Sequence, residues 1–433
     1  MDSTSVAIVG LGTVGSGVAQ ILIQHHERVA RHAGKNLVLR HAVVQDLSKP
    51  RDCPLPEGLL TDDLSRITQD PEVQIVAQLM GGLEPARTVM LQLLESGKDI
   101  VTANKALLAV HGPELFERAR KLGRSIAFEA SVAGGIPIIT NIAQCLSANQ
   151  ITSLSGILNG TSNFIVSRME EAGTNYQDAV REAQQRGYAE ADPTMDVDGT
   201  DAVQKLSILA HLAFGARPRW NEIPRTGIQD FDPADLRYAR ELGYRIKLLA
   251  VAQLTEPGLE LHVSPTLVRH GTPLGEVRGA YNAVDVNGDA VGRVFFHGLG
   301  AGQMPTASAV VADMIDTALG RTQLTFHTLE LWSRQAARVE LADPNAVTGR
   351  YYLRLTADDH PGVLAEVTGI LGRQQISIAS VIQHEPDSEV SSPGVPLVIM
   401  THVATEGAMN QAVESLENLA SIRQKIVKMR VLD

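Results

Sequence analysis

Residues 6–17 read VAIVGLGTVGSG. An apolar strand runs into Gly10-x-Gly12-x-x-Gly15, and a helical pattern, SGVAQILIQHHERVARH, follows at once. Gly10 permits a tight turn. Gly12 lets backbone approach a pyrophosphate, and Gly15 lets the helix pack close to the strand it leaves. Free N–H groups at the helix start then favour the phosphate charge. The motif predicts a dinucleotide site, provided that strands and helices go on alternating around it.

They do. LVLRHAVV, VQIVAQLM, DIVTA and SIAFEA read as buried strands, separated by helical patterns at PARTVMLQLLESG and GPELFERARKLG. Alternation of this kind predicts parallel βαβ units, a Rossmann-type doubly wound domain over 1–130. From about Ser131 the texture changes to an α+β pattern with an open sheet, expected over 131–302 as a catalytic and dimerisation domain. MPTASAVVADMIDTALG reads as a helix that returns to the first domain, over about 303–330. Residues 331–350 are polar and turn-rich, a linker. The tail, 351–433, has the order βαββαβ of a ferredoxin-like unit. It is expected to be separate and removable without loss of activity.

The 433 residues carry 38 basic and 49 acidic side chains, a net charge of −11, with no basic run. That argues against a nucleic-acid partner. No run of about 18 apolar residues predicts a membrane span. The start, MDSTSVAIVG, lacks the basic region of a signal peptide, and a cytoplasmic location is expected. Only Cys53 and Cys145 are present, which suits a reducing compartment and excludes a disulfide framework.

Three further stretches carry chemistry. In DIVTANKALL, Thr102, Asn104 and Lys105 follow an apolar strand, where open α/β sheets bind ligands. In GYAEADPTMDVDGTDAVQKLSILA, residues 187–210, Asp201 and Lys205 are four apart and share a helix face. Lys205 sits beside the apolar stripe of that helix. A lysine desolvated there keeps its charge only if anions hold it, and it then serves as a proton donor. Glu190 and Tyr188 lie in the turn before it, and Asp196 is a candidate pocket wall. The aspartate spacing does not match an EF-hand loop. Asn159-Gly160-Thr161 ends a strand and opens a helix, a place for a carboxylate or phosphate. Gly298, Gly300 and Gly302 precede another helix and are placed to close on the cofactor. Asp46 is the candidate acid for the ribose hydroxyls of NAD. Arg40, Lys49 and Arg51 are the nearby cations for the extra phosphate of NADP.

GLGTVG, VTANKALLA, EASVAGGIPII, LNGTSNFI, GYAEADPTMDVDGTDAVQK and GLGAGQMPTASAV together resemble the homoserine dehydrogenase family, over about residues 5–320. DDHPGVLAEVTGIL resembles an ACT domain, an amino-acid-sensing module, through Asp359, Pro361 and Gly362. The resemblance implies NAD(P)-dependent interconversion of L-homoserine and L-aspartate 4-semialdehyde, on the route to threonine, methionine and isoleucine. It implies Gly12, Thr13, Val14 and Gly302 along the cofactor, and Lys105 touching cofactor and substrate. Glu190 would bind the substrate amino group, Asp201 would position the reacting end, and Lys205 would donate the proton. A monovalent cation, sodium or potassium, would sit on Glu129 and the carbonyls of Val132, Gly134 and Ile136. The ACT-like tail implies feedback by an amino acid, threonine first, in a homodimer or homotetramer. Gln45 stands where the family pattern leads one to expect an arginine, so NADP and NAD both stay open.

Two other readings compete. One is a different NAD(P)-dependent amino-acid or semialdehyde oxidoreductase on the same scaffold. The other is a non-catalytic sensor, against which the joint presence of Lys105, Glu190, Asp201 and Lys205 argues.

Overall fold

The computed structural model describes residues 2–432 apart from 52, 230, 334–336 and 385–393. The first unit holds β1 (Ser3–Val9), β2 (Asn36–Val43), β3 (Leu60–Thr61), β4 (Val73–Gln78), β5 (Asp99–Thr102) and β6 (Ile126–Ala127). They form one parallel sheet in the order β3-β2-β1-β4-β5-β6, the Rossmann order. β1 and β4 are buried almost throughout, as a strand covered on both faces by helices must be.

The second unit holds β7 (Ile151–Ile157), β8 (Tyr244–Thr255), β9 (Gly258–Arg269), β10 (Tyr281–Gly288) and β11 (Gly292–Leu299). The helix Gln303–Ala318 then lies on the Thr13–Gln24 helix, and Ala307, Val310, Val311 and Met314 share a core with Val18, Ala19 and Leu22. Contact is close: a side chain on Gly17 would start 2.9 Å from the Ala307 Cβ.

The tail holds β12 (Thr348–Ala357), β13 (Ile378–Gln383), β14 (Val395–Thr401), β15 (Ala404–Thr405) and β16 (Val427–Leu432), with helices Val363–Arg373 and Glu406–Glu417. It keeps a core of its own around Tyr351, Leu353, Val367 and Leu416, but it is also joined to the second unit. β16 pairs in parallel with β9, Arg430 opposite Thr266 and Leu432 opposite Val268. One sheet therefore runs β11-β10-β7-β8-β9-β16-β12-β14-β13, with β15 added to β12. Two buried polar clusters flank this seam. Arg354 and the Tyr352 hydroxyl both bond Asp235, 2.6 and 2.8 Å away, on the helix Pro233–Glu241. Arg430 bridges Glu260 of β9 and Glu406 of the tail.

The expected linker is docked as well, as far as it is described; 334–336 lie outside the described residues. Trp332 packs on Phe116 and His211, with ring centroids 4.4 and 4.5 Å away. Leu259 donates to the Glu340 carbonyl, and Ala342 donates back to Leu259. An aromatic ring within a polar stretch is an anchor, and polar composition alone did not reveal it. No helix among the described residues is long and apolar enough to cross a membrane.

Candidate active site

At the glycine turn, Gly10 has φ +98°, and a side chain there would start 2.9 Å from the Leu79 carbonyl carbon. A side chain on Gly15 would start 2.2 Å from the Gly10 oxygen. Both positions need glycine on steric grounds alone. Gly12 differs: a side chain there would meet nothing within 4 Å. Gly12 and Thr13 are exposed, Val14 is half-buried, and no side chain caps the helix that starts here. Exposed N–H groups over open space fit a pyrophosphate. Gly302, also exposed, opens the helix that packs beside this one.

Two expected cofactor contacts are corrected. Arg40 points its guanidinium at Asp70 (2.7 Å) and Glu72 (3.1 Å), part-way along β2 rather than at its carboxyl end. Thr102 is fully buried, and its hydroxyl donates to Gln78. It braces the ends of β4 and β5 and has no surface to offer. Asn104 extends that brace, donating to the carbonyls of Met80 and Gly82 while capping its own helix through Leu107. Asp46 is exposed and accepts from the backbone and hydroxyl of Ser48, which hold its carboxyl below the usual range.

Lys105 begins the Lys105–Lys121 helix, directly after β5. Asp201 and Lys205 lie on the Thr200–Phe214 helix. The two helices bring all three residues together. Lys205 Nζ donates to Asp201 Oδ2 at 2.7 Å and to the Leu158 carbonyl at 2.7 Å. Lys105 Nζ lies 3.0 Å from Asp201 Oδ1. Burial alone would raise the Asp201 carboxyl, but Lys205, Lys105 and the hydrogen bonds to Lys205 and Asn159 overcome it and hold it well below the usual range. Asp201 in turn raises Lys105, against the pull of burial, with help from Asp196 and Glu190. Asp201 is only 6% exposed, so its part is to hold two ammonium groups rather than to touch a ligand.

Asn159 is another correction. Its Nδ2 donates to Asp196 (2.7 Å) and Asp201 (2.9 Å), and its Oδ1 caps Ser162. The amide is engaged on every side, so Asn159 positions the acids instead of binding substrate. The Thr161 hydroxyl donates to the Tyr188 carbonyl at 2.6 Å and so fixes the turn that carries Tyr188 and Glu190, both exposed. Gly160 has no room for a side chain, which would start 2.6 Å from the Ala280 oxygen. Burial, and secondarily the Asp201 charge, raise the Asp196 carboxyl. Asp192 and Asp198 cap Thr194 and Thr200, turn chemistry only.

Glu129 is buried, and its two oxygens accept from the backbones of Ile139 and Thr140. Its own N–H donates to Asp313 at 2.9 Å. Burial raises both carboxyls. The Ile136 carbonyl accepts from Ile138. An all-oxygen set of one carboxylate and three carbonyls suits a hard monovalent cation. In the tail, Asp359, Pro361 and Gly362 are exposed at the start of the Val363–Arg373 helix.

Sequence reasoning missed the Leu158 carbonyl, Gln78 and Asp313. None has a local signal, since each acts through a partner far along the chain.

A Rossmann sheet with an open glycine turn after β1, and a lysine–carboxylate–lysine cluster built on the residue that opens the helix after β5, defines a nucleotide-dependent oxidoreductase. Residues 137–315 match the family model for homoserine dehydrogenase, 10–129 that for the homoserine dehydrogenase NAD binding domain, and 351–421 that for the ACT domain. A homoserine dehydrogenase of Pseudomonas aeruginosa is 43% identical, covering 100% of this chain and 99% of its own. A crystal structure of a homoserine dehydrogenase from Thiobacillus denitrificans superposes with TM-score 0.91 at 42% identity, covering 100% of this chain and 99% of that one. A hyperthermophilic archaeal homoserine dehydrogenase in complex with NADPH superposes with TM-score 0.60 at 25% identity, over 73% of this chain and 98% of that one. This chain belongs to the homoserine dehydrogenase family.

Proposed function

We propose that this chain interconverts L-homoserine and L-aspartate 4-semialdehyde with NADP or NAD, and that Lys205 is its proton donor. The observation that carries the reading is Asp201, which holds Lys105 and Lys205 at one point between the nucleotide sheet and the second unit. Bound nicotinamide supplies or accepts the hydride. As the aldehyde is reduced, negative charge grows on its oxygen. A held ammonium stabilises that charge and gives up a proton, a contribution of roughly 10² to 10⁴ in rate. Asp201 keeps the Lys205 ammonium aimed while the Leu158 carbonyl fixes its reach. In the oxidising direction Lys205 takes the proton back.

Lys105 is assigned to cofactor and substrate together. Glu190, exposed in a turn held by Thr161, is assigned to the substrate ammonium, with Tyr188, Asp196 and Gly160 around it. Gly10, Gly12, Thr13, Val14, Gly15 and Gly302 line the nucleotide, and Asp46 reaches toward its ribose. Glu129 with the carbonyls of Val132, Gly134 and Ile136 would hold a monovalent cation that braces the loop between the units. The tail would take an amino-acid effector, threonine first, near Asp359, Pro361 and Gly362. A cytoplasmic homodimer or homotetramer completes the reading.

The test is the near-ultraviolet absorbance of reduced nicotinamide, followed with homoserine and either nucleotide. Reduction that depends on homoserine is expected. Its absence with both nucleotides, alongside turnover of another amino alcohol, would favour a different oxidoreductase of the same scaffold.

A further inference from the structure

Asn282, in β10, is 1% exposed, and neither its Nδ2 nor its Oδ1 has a hydrogen-bond partner. Among the described residues no other buried side-chain amide is unpaired at both ends. Folded chains rarely keep such a group without a use for it.

Its surroundings indicate the use. A side chain on Gly300 would start 2.0 Å from Asn282 Nδ2, so the amide lies against the Gly300 backbone. A side chain on Gly160 would start 3.3 Å from Asn282 Oδ1. One on Gly134 would start 2.6 Å from the Gly300 oxygen. Two turns thus meet at this amide, the start of the Gly160–Ala172 helix and the 298–302 loop, and the loop after Glu129 packs on the far side of Gly300. Asn282 also stands opposite Gly298 across the β10–β11 ladder. The 298–302 loop leads straight into the Gln303–Ala318 helix, which lies on the helix of the glycine turn. Asn282 therefore sits where a movement of the nucleotide unit reaches the second unit.

We infer that Asn282 is a positioning residue for the nucleotide-bound state, pairing with the backbone of the 298–302 loop when that loop settles on the nucleotide. A carboxamide edge presents one donor and one acceptor, the same pair that a peptide unit presents. The Gly300 backbone lies beside the amide, and neither end of the amide is bonded. Gly302, at φ +120°, gives the loop freedom for a small rotation. That rotation turns contact into a two-point pairing and couples nucleotide binding to the shape of the substrate side. The inference rests on the nucleotide half of the proposed function and not on the identity of the substrate.

Asn282→Leu tests it, because leucine keeps the volume and removes both polar atoms. The unliganded variant is expected to melt at or above the wild-type temperature. Its Kd for NADPH or NADH should weaken on the order of tenfold, the loss of two modest hydrogen bonds. KM for the nucleotide should rise in step with that Kd. An unchanged Kd, or a lower melting temperature in the unliganded variant, would overturn the inference. Should the variant fail to fold, hydrogen exchange on the wild type decides. Amides of 298–302 should exchange more slowly once nucleotide binds, and unchanged exchange overturns the proposal. Wild-type chain that binds nucleotide but does not turn over homoserine would sink the proposed reaction and leave this inference standing.

Discussion

Lys105 and Lys205 are not paired with each other; they share Asp201, one on each carboxylate oxygen, at 3.0 and 2.7 Å. The two lysines come from different units, so this carboxylate is also a joint between them. It fixes the spacing of two positive charges that would otherwise repel.

Replacing Lys205 with alanine should lower kcat by about 10² to 10⁴, the range of general acid catalysis. The Kd for nucleotide should not change, because Lys205 bonds only Asp201 and Leu158. Steady-state kinetics together with nucleotide titration checks both. Near-normal turnover would remove Lys205 from the mechanism.

Asp201→Asn should cost on the order of 1 to 3 kcal/mol, because it leaves two half-buried ammonium groups without their counter-charge. The pH dependence follows from sign. The two ammonium groups hold the folded carboxyl well below the ordinary aspartate range. Its stabilisation is therefore complete above about pH 4 to 5 and is lost as pH falls toward the lower folded value. Wild type and variant should differ most at neutral pH and converge in acid. A gap that widens on acidification, in urea titrations, would refute the assignment.

Glu190→Ala should raise KM for homoserine while leaving KM for the nucleotide alone. The exposed carboxylate lies near Lys105 and has no structural partner of its own in the set of close side-chain bonds around Asp201. An unaltered homoserine KM would exclude the ammonium role.

Removing the tail should destabilise the whole chain instead of yielding an unregulated enzyme. Truncation uncovers Thr266–Val268 of β9 and takes Arg354 from Asp235, which is 1% exposed. Arg354→Met alone should cost roughly 3 to 5 kcal/mol, as breaking a buried pair does. A truncated chain with wild-type melting behaviour would show that the seam carries no stability.

The legible parts were those with short-range patterns. Gly10-x-Gly12-x-x-Gly15 lies within one turn and must satisfy local sterics, so the tight turn at Gly10 and the close packing at Gly15 could be read in advance. The spacing of Asp201 and Lys205 is one helical turn and was equally open to inspection. β10 carries a weak strand signal because YNAVDVNG sets Asn, Asp and Gly among its apolar residues, although most of it is buried. Arg40 looked like a phosphate ligand because its charge was visible and its partner Asp70, 30 residues on, was not. Thr102 ends β5, at the carboxyl edge of the sheet, but only packing decides whether a hydroxyl faces a ligand or a neighbouring glutamine. The joining of β16 to β9 has no local signature at all, since an edge strand reads the same whether solvent or another strand lies beside it.

That seam also sets a schedule for synthesis. Glu260 and Arg430 are 170 residues apart in the chain. At ordinary translation speeds β9 emerges from the ribosome roughly 10 to 30 s before β16 exists to cover it. For that interval the growing chain carries an apolar strand with an open edge, the kind of surface that recruits the wrong neighbour. Crowded expression is therefore a condition that tests this seam before it has closed.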